Sequence, residues 1–255
     1  MAVIEARPLS LDAIAASGQT FTWRRHGGSW LVASGARRCL LSQKDGAVEV
    51  TRPDGGEPDP DELAYWKRYL ALDLDYAQVL RDIALPAEVQ RAGAGIRVLR
   101  QDWWDTAVSF VISQNSNITR IQRTVDALMD ASGGVVPAPP KLRALLEDDD
   151  FASGLKLGYR SPYLEALADR CCSWHPSRVD DAGVLLDQSL SELQELSGIG
   201  PKVANCICLF GLGYMEAVPR DTWIRRAEQE FDIDWHPRWG GIQQQYVFAW
   251  MRQRA

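Results

Sequence analysis

Residues 196–206 read Leu-Ser-Gly-Ile-Gly-Pro-Lys-Val-Ala-Asn-Cys. Two glycines one residue apart, with a proline directly behind the second, leave few local structures open to such a stretch. Gly198 and Gly200 supply the backbone freedom for a tight reversal. Pro201 suits the first position of a helix, where its missing N–H costs little. Upstream, Ser189 and Glu192 have the spacing of a capping box and place a helix start there. The spacing therefore predicts a helix, a glycine hairpin and a second helix over residues 190–211. Free N–H groups at the start of the second helix form an anion site suited to a phosphate.

Lys202 falls in the first turn of that second helix, where the helix dipole opposes a cation. The same field should lower its pKa, and a neutral amine is what a lysine nucleophile requires. Asp221 stands nineteen residues further on, behind Val218-Pro-Arg and ahead of an apolar-periodic run, so it reads as a helix N-cap. A carboxylate beside the amine could stabilise an oxocarbenium-like sugar in a transition state. It would also favour the protonated amine, so its effect on Lys202 competes with that of the dipole. Taken singly, each element has a plain reading as loop glycine, solvated lysine or helix cap.

With 255 residues, 46% hydrophobic and 24% charged, the chain has the composition of a globular protein able to bury a full core. No apolar run approaches the roughly 20 residues needed to span a bilayer. The opening MAVIEARPLS has no signal-peptide core, which points to an intracellular protein. A net charge of −6 does not favour nucleic acid, but binding needs only a local basic face. The acids cluster at 147–150, 180–181 and 187–195, whereas Arg97, Arg100, Arg120, Arg123, Arg220, Arg225 and Arg226 flank the candidate site segments. Five cysteines lack any disulfide or zinc spacing, and three scattered histidines form no metal motif, so no metal is expected.

Short runs at 20–24, 30–33, 38–42 and 48–51 are separated by glycine-containing turns, with Asp45-Gly46 a strong two-residue hairpin signal. They predict a small antiparallel sheet over the first 55 residues or so. Asp59, Pro60 and Glu62 then supply a cap, a first-turn proline and an N3 acid for a helix over 63–70. Further helices are predicted at 76–83, 87–93, 103–114, 118–131, 140–147, 162–174, 190–196, 201–211, 222–230 and 241–252. The fold class is α+β. It divides into an N-terminal sheet with its following helices, 1–92, and a helical domain, 93–255.

The stretch LSGIGPKVANCICL together with AVPRD resembles the helix-hairpin-helix DNA glycosylase superfamily, and further segments are similar to its 8-oxoguanine branch. The resemblance runs from about Leu9 to Phe248. It implies an enzyme that flips 8-oxoguanine out of duplex DNA opposite cytosine, excises it through a Schiff base and cleaves the strand by β-elimination, without a cofactor. Lys202 and Asp221 match the catalytic pair. One alternative is a glycosylase of the same superfamily for another damaged purine, whose monofunctional members usually lack the lysine. Another is a helix-hairpin-helix protein that binds DNA without chemistry, which needs the glycines but not this pair. The 8-oxoguanine enzyme is expected to be monomeric, with lesion-containing double-stranded DNA as its partner. Its compartment would be a bacterial cytoplasm, or the nucleus in a eukaryote.

The resemblance assigns further roles, each beside a plainer reading. Gly18, in Ser-Gly-Gln-Thr-Phe-Thr-Trp, would offer its carbonyl to the N7–H of 8-oxoguanine; unmodified guanine has no proton there. Otherwise the segment is a turn before a buried aromatic strand. Asn115 would fill the gap left by the extruded base and Arg120 would contact the orphaned cytosine, or the two flank a capped helical junction with Asn117 as the cap. The family's three asparagines are here Asn115-Ser116-Asn117. Tyr159 would wedge the stack open and Arg160 would add a donor to the cytosine, or the tyrosine simply packs in a loop. Gln244 would bond the Watson–Crick edge of the flipped base and Phe248 would stack on it, or both belong to core packing. Three glutamines at 243–245 leave a one-residue choice in that register. Cys206, one turn after Lys202, matches a cysteine packed near the catalytic lysine, or is a small buried residue. Trp223 stands where the family usually has a phosphate-contacting histidine.

Overall fold

The computed structural model describes residues 2–6, 8–176 and 184–254; the acidic pair at 180–181 lies outside them. Five antiparallel strands form one sheet in the order β1-β5-β4-β3-β2. They are β1 (Ala2–Glu5), β2 (Trp23–His26), β3 (Ser29–Ser34), β4 (Arg37–Lys44) and β5 (Ala47–Thr51). Asp45 and Gly46 both take positive φ, 53° and 80°, as a twist-matched two-residue hairpin requires. Side chains alternate across the pleat. Val32, Cys39, Leu41, Val48 and Val50 are thereby buried beneath α1 (Leu11–Ala16) and α2 (Pro60–Tyr69). Asp59 and Glu62 close the expected capping box on α2.

Strand β1 and helix α1 were not expected. β1 is four residues long and exists because it pairs with β5, Ala2 opposite Val50, which no local pattern announces. The run at 20–24 joins the sheet only from Trp23.

The rest of the described chain is helical: α3 (Tyr76–Ile83), α4 (Ala87–Ala92), α5 (Trp103–Ile112), α6 (Ile118–Asp130), α7 (Pro139–Leu146), α8 (Asp149–Leu155), α9 (Ser161–Cys171), α10 (Leu186–Gln194), α11 (Pro201–Ile207), α12 (Thr222–Glu230) and α13 (Gly240–Gln253). Helix α8 was also missed. Every residue of α5 is buried, making it the axis of the second core. Helices α3 and α4, which precede residue 93, contribute Tyr76, Val79, Ile83 and Val89 to this helical core. Helix α10 begins four residues earlier than expected, at Leu186, so Ser189 is not its cap. The Ser189 hydroxyl is buried 2.8 Å from that of Tyr214. The second helix of the hairpin ends α-helical geometry at Ile207 and widens into one π turn, Cys208–Leu212.

Arg97 joins the two cores. It is buried, donates to the carbonyls of Leu70 (3.1 Å), Leu74 (2.9 Å) and Ala71, and lies over the Tyr76 ring. Burial lowers its pKa. In the sequence it stands among the arginines that flank the candidate site segments; the structure uses it as an internal clamp. Arg24 ties β2 to α6 through Asp126 and Asp130, both at 2.6 Å.

Candidate active site and nucleic-acid interface

Helices α10 and α11 enclose the hairpin. Gly198 needs its glycine: φ is +81°, and an added Cβ would lie 2.6 Å from the Tyr163 Cβ. Gly200 does not depend on unusual dihedrals. It caps α11 in extended geometry, φ −85° and ψ 178°, with open space beside it. The tight reversal therefore falls on Gly198 alone.

Lys202 leaves the first turn of α11 towards the end of α5. Its Nζ lies 3.4 Å from Ser113 Oγ and 4.9 Å from the centroid of the Phe110 ring. Phe110 is itself stacked on Phe210, with centroids 5.5 Å apart. One turn along α11, burial pushes the Cys206 thiol up to about 11, against the opposing pull of the Lys202 ammonium. Asp221 caps α12, its Oδ1 accepting from the Ile224 N–H at 2.9 Å. Burial raises the Asp221 carboxyl above its ordinary value, while the Ile224 N–H and the Lys202 ammonium pull it down. Lys202, Cys206 and Asp221 thus share one electrostatic environment.

The remaining predicted residues fall into two groups. Gly18, with φ +75°, would place a Cβ 3.6 Å from both Ile118 and Phe248, so the three surround one spot. Gln244 lies one turn before Phe248 and donates to the Pro219 carbonyl at 3.3 Å, which links α13 to the loop carrying Asp221. Gln245 donates to Gln244 Oε1 at 2.9 Å, whereas Gln243 turns away towards Asp234 and His236.

The second group centres on the turn after α5. Asn115, exposed and with φ +46°, donates to the Tyr159 hydroxyl at 3.0 Å. Tyr159 is 46% exposed and donates in turn to the Gln114 carbonyl. Arg160, expected to donate to a base, is buried, and its guanidinium is spent on the backbone. It donates to the carbonyls of Gln114 (2.7 Å), Asn115 (2.9 Å) and Leu157 (3.0 Å). Arg120 is exposed and donates to the Lys156 carbonyl at 2.7 Å. Among the other flanking arginines, Arg100 pairs with Asp73, Arg220 with Glu228 and Arg226 with Glu230, while Arg123 and Arg225 are exposed. Trp223 is half-buried against the helical core.

Sequence reasoning missed Phe110, Ser113, Gln114 and Ile118. Phe110 and Ser113 are three residues apart on α5 and so share a face, but nothing local tells that face from core. Gln114 Nε2 donates to the Gly198 carbonyl at 3.0 Å, fastening the hairpin to the end of α5. Among the described residues no cluster of three His, Cys, Asp or Glu could hold a metal ion, and no helix is long and apolar enough to cross a membrane.

Residues 1–107 match the family model for the 8-oxoguanine DNA glycosylase N-terminal domain. The N-glycosylase/DNA lyase OGG1 of Arabidopsis thaliana is 30% identical over 237 residues, covering 85% of this chain and 64% of that protein. The structure of MBOgg1 in complex with a low-affinity DNA ligand superposes with a TM-score of 0.81 at 25% identity, covering 99% of this chain and 95% of the other. The chain is thus similar to 8-oxoguanine DNA glycosylases over its first 107 residues by the family model and over most of its length by the relatives and solved structures. It spans between half and two thirds of the length of the curated relatives that it matches. The same α+β fold recurs in the Clostridium acetobutylicum 8-oxoguanine glycosylase/lyase in complex with double-stranded DNA containing cytosine opposite 8-oxoG. That match has a TM-score of 0.83 at 22% identity and covers 100% and 98% of the two chains.

Proposed function

We propose that the chain is a bifunctional DNA glycosylase and lyase that excises 8-oxoguanine opposite cytosine from duplex DNA. The observation that carries this reading is the placement of Lys202 in the first turn behind the glycine hairpin, its amine 3.4 Å from Ser113 Oγ, with Asp221 at the cap of the following helix. In the reaction, the lone pair of neutral Lys202 forms a bond to C1′ of the flipped nucleotide as the bond from C1′ to the base breaks. The base departs with that electron pair and a proton from the amine. Ionised Asp221 stabilises the positive charge that develops on the sugar. Opening of the C1′–O4′ bond, with O4′ keeping the electron pair and taking a proton from solvent, then gives a protonated imine on Lys202. Transfer of a C2′ proton to solvent sends the C–H electron pair towards the protonated imine, and the C3′–O bond breaks with its electrons leaving on the 3′ phosphate, with no cofactor.

Gly18, Ile118 and Phe248 supply a place for the flipped base, with Gln244 one turn behind. Asn115 and Tyr159 form an exposed polar-aromatic pair suited to the vacated position in the stack. Arg160 supports that pair from beneath through the Gln114 and Asn115 carbonyls. Borohydride should trap the protein covalently on duplex DNA carrying 8-oxoguanine opposite cytosine, and Lys202→Gln should abolish the adduct. Undiminished trapping in that variant, or complete absence of base release by the wild type under single turnover, would overturn the assignment.

A further inference from the structure

Ser113 closes α5, and its hydroxyl donates to the Phe110 carbonyl at 2.8 Å. A hydroxyl has one proton to give. With that proton engaged, Ser113 Oγ meets Lys202 only as an acceptor, with Nζ at 3.4 Å. The polarity matters for an amine that acts through its lone pair. A freely rotating hydroxyl could donate to the nitrogen and occupy the electrons needed for attack. Ser113 instead draws an N–H towards α5, and the Phe110 ring bounds the amine on the same helix.

The end of α5 is also held from both sides. Gln114 Nε2 fastens it to the Gly198 carbonyl, and Arg160 holds the Gln114 carbonyl. Ser113 is therefore a fixed partner to a flexible side chain, as preorganisation of a reacting group requires.

We propose that Ser113 is a positioning residue that orients the Lys202 amine, turning an N–H to its own oxygen and the lone pair towards the nucleotide. This rests on Lys202 being the nucleophile. Ser113→Ala removes the acceptor. Ser113→Thr keeps a hydroxyl that can make the same bond to the carbonyl three residues back. Single-turnover base release and lesion-duplex affinity are measured for wild type and both variants on an 8-oxoguanine:cytosine duplex, together with the rate of borohydride trapping on a preformed abasic duplex.

Ser113→Ala is expected to slow base release and trapping at least about tenfold with affinity within about twofold of wild type, because misplacement of a reacting group acts on rate rather than on binding. Ser113→Thr is expected to recover most of that loss. Wild-type rates in Ser113→Ala, or equal slowing in both variants, would overturn the role of Ser113 while leaving the assignment of Lys202 intact. A wild-type protein that forms no adduct through Lys202 would instead overturn both.

Discussion

Gly198→Ala tests whether the hairpin is held by sterics as well as by hydrogen bonds. At φ +81° an alanine incurs the left-handed penalty, about 1–2 kcal/mol. Its Cβ would also stand 2.6 Å from the Tyr163 Cβ and closer still to the ring. The Tyr163 Cβ cannot swing away without moving the backbone of α9, so overpacking adds about 1–3 kcal/mol. The sum is about 2–5 kcal/mol. For a chain of this size each kcal/mol lowers Tm by about 2–4 °C, so the variant should melt roughly 4–20 °C below wild type. A double-mutant cycle separates the two terms. In a Tyr163→Gly background, which removes the Cβ as well as the ring, the clash disappears and the dihedral penalty stays, so a coupling of about 1–3 kcal/mol is expected from urea unfolding. The shifted hairpin should also lose the bond between Gln114 and the Gly198 carbonyl and weaken binding to duplex DNA. A loss below about 0.5 kcal/mol for Gly198→Ala, or no coupling to Tyr163, would refute the steric argument.

Asp221→Asn retains a good N-cap, so stability at neutral pH should change by no more than about 0.5 kcal/mol, while single-turnover base release should fall on the order of a hundredfold. The Asp221 carboxyl is raised by burial, so the rate of base release should climb with pH along a limb lying above the ordinary aspartate value of 3.8, and the Asn variant should lack that limb. The raised carboxyl also has a thermodynamic sign. The folded state holds the proton more tightly than the unfolded one, so this residue's contribution to stability falls as pH rises from the unfolded value through the folded one. Chemical unfolding of wild type and Asp221→Asn across that range should differ in slope accordingly. Arg160→Ala strips the side-chain donor from the Asn115 carbonyl and one of the two donors from the Leu157 carbonyl, and should cost about 2–3 kcal/mol in urea unfolding, with Tyr159 and Asn115 losing order. Iodoacetamide at neutral pH should alkylate exposed Cys172 and spare buried Cys206, whose thiol sits at about 11; mass mapping of the labelled peptides checks this.

Much of the local architecture is legible in the chain because it is written over three or four residues. Asp59 with Glu62, Asn117 before α6, Asp221 before α12, Pro201 at the head of α11 and the Asp45-Gly46 turn all act where they were expected. The spans 76–83 and 222–230 agree with the structure to the residue. Each such signal is satisfied by a neighbour three or four positions away, so its energy depends little on the rest of the fold.

Other features were decided only when distant segments met. Strand β1 exists through its pairing with β5, Ser189 is buried against Tyr214, and Arg97 turns inward to carbonyls some 25 residues away. Arg160 belongs to the same class: a guanidinium carries five donors that suit a base edge or a carbonyl equally well, and only packing against the end of α5 selects the carbonyls. The contact between Lys202 and Ser113 spans 89 residues. The chain by itself determined which residues could bear the chemistry and which turns would present them. Tertiary packing decided which polar groups face that chemistry and which are spent in holding it still, since a donor's partner depends on what the fold brings within about 3 Å of it.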